Sequence, residues 1–172
     1  MPRSLIKIGF GGGCHWCTEA IFQSIKGAQK VAQGWIRSMP PNDTFSEAVI
    51  VYYDKEEIEL ISLLQIHLHT HSSTSQHSMR KKYRSAIYIF SEMQKRSVLE
   101  LMPILQQDFD QPLVTKVLSF VDFKENREQY QNYYYSNPQL PFCQTYIEPK
   151  LSFLKKRFGK KMSKPKSSDS NR

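Results

Sequence analysis

The chain reads as an α+β domain, a ferredoxin-like two-layer sandwich in which helices cover one face of a mixed sheet, with a C-terminal extension. Three observations predict it. Strand-like and helix-like segments follow in the order strand, helix, two strands, helix, strand, helix, strand. The helix-like segments keep their apolar residues at helical spacing. The 172 residues show no internal repeat and no second domain, and a chain of this length buries one adequate core without disulfide or metal staples.

Leu5 to Phe10 forms the first strand, and Gly11-Gly12-Gly13 makes a flexible turn. The following helix spans His15 to Lys26, with Ala20, Ile21, Phe22 and Ile25 on one face. Lys30 to Arg37 is the second strand, and a loop with Pro40-Pro41-Asn42-Asp43 leads to the β-branched and aromatic run from Glu47 to Tyr53. Asp54 is placed to cap a helix from Glu56 to His67, whose Ile58, Ile61, Leu64 and Leu68 share a face. A polar loop from Thr70 to Lys82 precedes the strand Tyr83 to Phe90. Ser91 and Gln94 have capping-box spacing and open a helix to about Gln107. Pro112 to Phe120 is a strand, and Arg127 to Tyr135 and Pro149 to Phe158 are helices. The domain is expected over 1–158, with a basic disordered tail over 159–172.

Composition narrows the function classes. Hydrophobic residues make up 40% and charged residues 23%, which fits a soluble globular protein and neither a disordered polyelectrolyte nor a membrane-spanning chain. The start carries too short an apolar stretch, and no small-residue cleavage site, for a signal peptide, so a cytoplasmic setting is the default. The formal charge is +8, but from Lys155 to Arg172 eight basic residues accompany one acid, leaving the body almost neutral. Such a run is usually solvated, so nucleic-acid binding is not expected.

Three cysteines argue against a disulfide framework. Cys14 directly follows the glycines at the start of a helix, where unpaired N–H groups and the dipole favour the nucleophilic thiolate. A glycine-rich turn followed by a merely buried cysteine is the plain alternative. A phosphate loop is a third, although no Lys-Ser or Lys-Thr follows the glycines.

Gly13-Cys14-His15-Trp16-Cys17-Thr18-Glu19 resembles the Gly-Cys-Phe-Trp-Gly-x-Glu signature of the A-type peptide methionine sulfoxide reductases. Glu47-Ala48-Val49 with Val51-Tyr52-Tyr53-Asp54, then Ile66-His67, then Tyr83-Arg84-Ser85-Ala86-Ile87-Tyr88, and finally Asn137-Pro138 with Pro141-Phe142-Cys143 follow in that family's order. The resemblance spans about Ile6 to Phe158. It implies reduction of L-methionine (S)-S-oxide, free or in proteins, as repair after oxidative stress, with no cofactor and with thioredoxin as reductant. Cys14 corresponds to the nucleophile, Glu47 to the acid that protonates the sulfoxide oxygen, Tyr83 to a hydrogen-bond donor to that oxygen, and Trp16 to the wall against the substrate methyl. Glu47 must then hold its proton near neutral pH, which calls for apolar surroundings. Without the resemblance, Glu47 and Tyr83 would pass for ordinary strand residues and Trp16 for core.

The resulting Cys14 sulfenic acid needs a second thiol. Cys143 matches the family's recycling position and is favoured; Cys17, where the family usually has Gly, lies one helical turn away. Other departures concern the pocket. His15 replaces Phe, the loop between Trp35 and Glu47 is short and lacks an oxygen-binding tyrosine, Ser78-Met79-Arg80-Lys81-Lys82 lacks the usual carboxylate, and Tyr130 stands where many members have His. His15, Tyr88 and Tyr130 are candidate substitute donors. The main competing reading is a copper or zinc carrier using Cys14 and Cys17 with His67, His69, His71 and His77. A monomer without membrane attachment is expected.

Overall fold

The computed structural model describes residues 4–163. Among these residues one six-stranded sheet is formed by β1 (Ile6–Gly11), β2 (Ala28–Arg37), β3 (Ser46–Tyr53), β4 (Ala86–Ile89), β5 (Lys116–Ser119) and β6 (Asp122–Glu125), in the spatial order β5-β4-β1-β3-β2-β6. The four central strands pair antiparallel in the split βαβ arrangement that the element order predicts. Parallel pairing of β5 with β4 makes the sheet mixed, and β6 extends the other edge from β2.

Alternation along the strands assigns the two faces. Ile8, Phe10, Val49, Val51, Ile87 and Ile89 point to the helix side. There they pack with Ile21 and Phe22 of α1 (His15–Gln23), Leu63, Leu64 and Ile66 of α2 (Leu60–His69), Val98 and Leu105 of α3 (Glu92–Gln106) and Leu154 of α5 (Glu148–Phe158). Fully buried side chains such as Phe22 and Leu63 each contribute ~1.5–3 kcal/mol through removal from water. The opposite face carries a smaller cluster of Ile36, Ala48, Ile50, Ala86 and Tyr88.

Several boundaries differ from the sequence expectation. Asp54 accepts from Glu56 N–H (2.9 Å) and closes a separate turn, so α2 begins later, at Leu60. The strand expected from Tyr83 is only four residues long, because Tyr83 N–H turns back to Met79 and Arg84 N–H is taken by Ser46 Oγ. The strand expected over Pro112 to Phe120 shortens to Lys116–Ser119. The helix expected over Arg127 to Tyr135 is broken by Asn132 in the left-handed region (φ 56°). A 3₁₀ turn (Glu128–Tyr130) precedes that break and α4 (Tyr133–Ser136) follows it. Ser91 does cap α3, accepting from Gln94 N–H.

The expected tail boundary at 158 also shifts. Gly159–Lys161 forms a 3₁₀ turn, Met162 bridges to Ile25, and Ser163 N–H donates to Ser24 O (2.7 Å), so the domain continues to 163. The rest of the basic tail lies outside the described residues. Among the described residues no helix is long and apolar enough to cross a membrane.

Candidate active site

The β1–α1 turn places Cys14 as the residue preceding α1, half-buried, with its carbonyl accepting from Cys17 N–H and Thr18 N–H (3.1 Å each). The Cys14 thiol sits below its ordinary pKa. The chief cause is the Cys17 thiol hydrogen-bonded to it; amide N–H groups of Trp16 and Cys17 add to this, while burial and Glu47 oppose it. The Cys17 thiol is pushed up by the same hydrogen bond and by burial. Cys143, fully buried, is raised by burial and by Glu148. It packs in one apolar cluster with Cys17, Ala20 and Ile147, and Cys14 borders that cluster, so all three cysteines meet around the first turn of α1.

Gly12 is required here. Its φ of +148° suits glycine, and a Cβ would come within 2.4 Å of the His71 ring, whereas a Cβ on Gly13 would meet nothing. The turn is thus fixed from below and open above. Beneath it, His67 Nε2–H donates to Gly11 O (2.7 Å), and His71 bridges His67 O and Ser85 Oγ. Burial pushes His67 down to about 4 and His71 down as well.

An acid-stability prediction follows from these two rings. Their folded pKa values lie below the ~6.5 of an unfolded histidine, so the unfolded chain binds more protons in that interval. Stability therefore falls as pH drops from 6.5 toward 4, with His67 alone accounting for on the order of 3 kcal/mol at the low end. Thermal midpoints measured across this range should decline less steeply for His67→Gln; identical slopes would refute the assignment.

β3 brings Glu47 beside the Cys14 turn. Glu47 pairs with Trp35 across the ladder, and the next residue, Ala48, is opposite Gly11. Glu47 Oε1 accepts from the amide of His15 (3.2 Å), adjacent to Cys14, and lies 3.5 Å from His15 Nε2; Oε2 lies 3.7 Å from Lys82 Nζ. The carboxyl is buried, but its surroundings are not the apolar ones expected from sequence: an imidazole and an ammonium face it. Lys82 also reaches the Tyr83 ring (5.1 Å to the centroid), and Arg80 Nη1 donates to both Gly12 O and Tyr83 O, tying the Tyr83 segment to the Cys14 turn.

His15 is buried. Its Nδ1 bonds Gly34 O (2.8 Å) and its ring meets the Trp35 edge. Trp16 stacks on Tyr133 (4.0 Å, 11°), with Phe142 edge-on and Tyr130 at 6.1 Å, and its indole N–H has no partner among the described residues. Tyr88 requires a correction. It lies on the opposite face of the sheet, fully buried, with its hydroxyl accepting from Arg84 Nε (3.1 Å), so it cannot serve as a donor at Cys14.

Sequence reasoning assigned no role to Glu19 or Lys82. Glu19 is buried and its carboxylate accepts from Asn132 N–H (2.7 Å), Tyr133 N–H (3.0 Å) and Gln33 Nε2 (3.0 Å), which anchors the Tyr130–Tyr133 wall to α1. Its place in the Cys14 motif was the available signal. Lys82 flanks Tyr83, but nothing local ties it to Glu47.

Among the described residues no group of three or more His, Cys, Asp or Glu side chains is placed to hold a metal. His67 and His71 are engaged beneath the turn, and His69 pairs with Asp108 (3.1 Å).

The family profile of peptide methionine sulfoxide reductases matches residues 6–162. The chain belongs to this family of oxidoreductases. Curated relatives include the peptide methionine sulfoxide reductases MsrA of Trichodesmium erythraeum (33% identical, covering 92% of this chain and 99% of the relative) and Deinococcus radiodurans (32%; 89% and 82%). Similar solved structures include Mxr1 from Saccharomyces cerevisiae in reduced form, with a TM-score of 0.67 at 21% identity over 85% of this chain and 93% of that one. Mxr1 in complex with Trx2 gives 0.59 at 19% identity, over 75% and 86%. These structural likenesses support the α+β fold, and the family membership rests on the sequence matches.

Proposed function

We propose that the protein reduces the S epimer of methionine sulfoxide, in proteins or free, to methionine. The observation that carries this reading is Cys14 at the start of α1 with the Glu47 carboxyl bonded to the next amide and Tyr83 fastened to the same turn. The Cys14 thiolate takes the sulfoxide oxygen: the substrate S–O bond breaks, an S–O bond forms at Cys14, and a proton completes the sulfenic acid. Glu47 supplies that proton, the Tyr83 hydroxyl orients the oxygen, and Trp16 with Tyr130 walls the methyl end.

A second thiol condenses with the sulfenic acid to give a disulfide and water. Cys17 serves as the first partner, since it follows Cys14 within the first turn of α1 and packs in the cluster that Cys14 borders. Cys143 then serves as a second acceptor by exchange with the Cys14–Cys17 disulfide. A thioredoxin-type dithiol restores the thiols, as the Mxr1 complex with Trx2 suggests for the family. A reducing compartment such as the cytoplasm suits three free thiols.

The test is turnover on separated sulfoxide epimers with a thioredoxin system. Wild type should form methionine from the S epimer and none from the R epimer; inactivity on both would end the reading. Peptide mapping after one turnover should find Cys14 joined to Cys17 in Cys143→Ser. If that variant instead accumulates sulfenic acid, Cys143 is the first partner.

A further inference from the structure

The His15 ring nitrogens have unequal partners. Nδ1 lies 2.8 Å from Gly34 O, which can only accept, so Nδ1 carries a hydrogen. In the neutral ring Nε2 is then a bare lone pair, 3.5 Å from Glu47 Oε1, with both side chains less than a tenth exposed. A bare ring nitrogen and a carboxylate oxygen this close in a buried site repel, whereas a proton held by either makes the contact attractive. We propose that His15 and Glu47 hold one proton in common and that this is the proton given to the sulfoxide oxygen. The inference rests on the reductase reading and adds His15 to it as a positioning residue acting through Glu47.

The groups around the pair define the problem that His15 solves. Lys82 Nζ stands 3.7 Å from Oε2, and the His15 amide donates to Oε1. Cys14, from the β1–α1 turn, bears the reacting thiolate. From β2 come the uncharged Trp35 edge and the Gly34 carbonyl, and from α1 the uncharged Trp16 ring at 6.0 Å. Of these groups the His15 ring offers the shared proton a second seat beside Glu47, the basic nitrogen Nε2. A second basic site at Nε2 keeps that proton within reach, and a phenylalanine at this position could not. Burial pushes the imidazole below its ordinary value, the Gly34 bond and then Glu47 oppose this in part, and Lys82 adds to it.

The step balances. Cys14 sulfur loses two electrons, the substrate sulfur gains two, the oxygen moves from one to the other, and the shared proton ends on the sulfenic oxygen. The pair then reloads from solvent.

The test is the single-turnover rate of pre-reduced enzyme on the S epimer, between about pH 5.5 and 9.5, for wild type, His15→Phe and His15→Gln. Glutamine can keep a donor to Gly34 O but has no titrating nitrogen. Both variants should move the alkaline limb down by about one pH unit or more, with roughly tenfold slower reduction at pH 8 and a rate within about threefold of wild type at pH 6. An unshifted limb in both variants overturns the proposal, as does a loss equal at every pH. Wild-type inactivity on the S epimer would instead be a failure of the reductase reading itself.

Discussion

Cys14→Ser is expected to abolish sulfoxide reduction, lowering single-turnover rates by on the order of 10⁴-fold or more. In the proposed reaction the Cys14 thiolate is both the nucleophile and the two-electron donor. A serine hydroxyl cannot be ionised by the Cys17 hydrogen bond and the Trp16 and Cys17 amides that favour the Cys14 thiolate, and its oxygen cannot be oxidised to a sulfenic-acid equivalent. The control is thermal stability. Cys14 is half-buried and caps α1 with its carbonyl rather than its side chain, so the variant's midpoint should stay within ~2 °C of wild type. Methionine formation measured by chromatography with excess dithiothreitol decides the matter. A residual rate within tenfold of wild type would move the chemistry to Cys17 or Cys143.

Much of this site was legible because its signals are local. The strand, the three glycines and the apolar face of α1 are contiguous, so the position of Cys14 before a helix could be read from neighbours alone. Glu47 was legible only through the motif resemblance: β3 is buried on both faces, so alternation alone does not say which of its residues point toward α1. The failures are non-local. β6 carries one apolar residue, Phe123, within Asp122–Glu125, and exists as a strand because β2 offers it a ladder. The expected helix over Arg127 to Tyr135 has the composition of one, yet two of its amides are drawn to Glu19, more than a hundred residues earlier. Tyr88 follows Ile87 in a strand, and period-two alternation sends it to the opposite face of the sheet from Cys14. Lys82 reaches Glu47 only because Glu47 N–H bonds Lys82 O (3.0 Å), a pairing no sequence window contains.

Glu19→Ala is expected to cost about 3–5 kcal/mol. Burial pushes the Glu19 carboxyl up, while Asn132, Tyr133 and Gln33 donors pull it back. Removing the side chain takes the acceptor from the buried Gln33 amide and from the part-buried backbone N–H groups of Asn132 and Tyr133. Gln33 keeps its bonds to Tyr130 O and Asn126 Nδ2, so the loosening centres on Asn132 and Tyr133. At this chain length such a loss lowers the thermal midpoint by roughly 10 °C. The same change should disturb catalysis by a distinct route: Tyr133 stacks on Trp16, so an unanchored α4 uncovers the indole and loosens the methyl wall. In a Trp35→Phe background, where Trp16 is the remaining tryptophan, Glu19→Ala should red-shift emission and raise KM for the sulfoxide more than it lowers kcat. Lost stability with unchanged Trp16 emission would show that the wall stands without its carboxylate anchor. A fall in kcat at constant KM would place Glu19 in the proton path alongside Glu47 rather than behind the substrate wall.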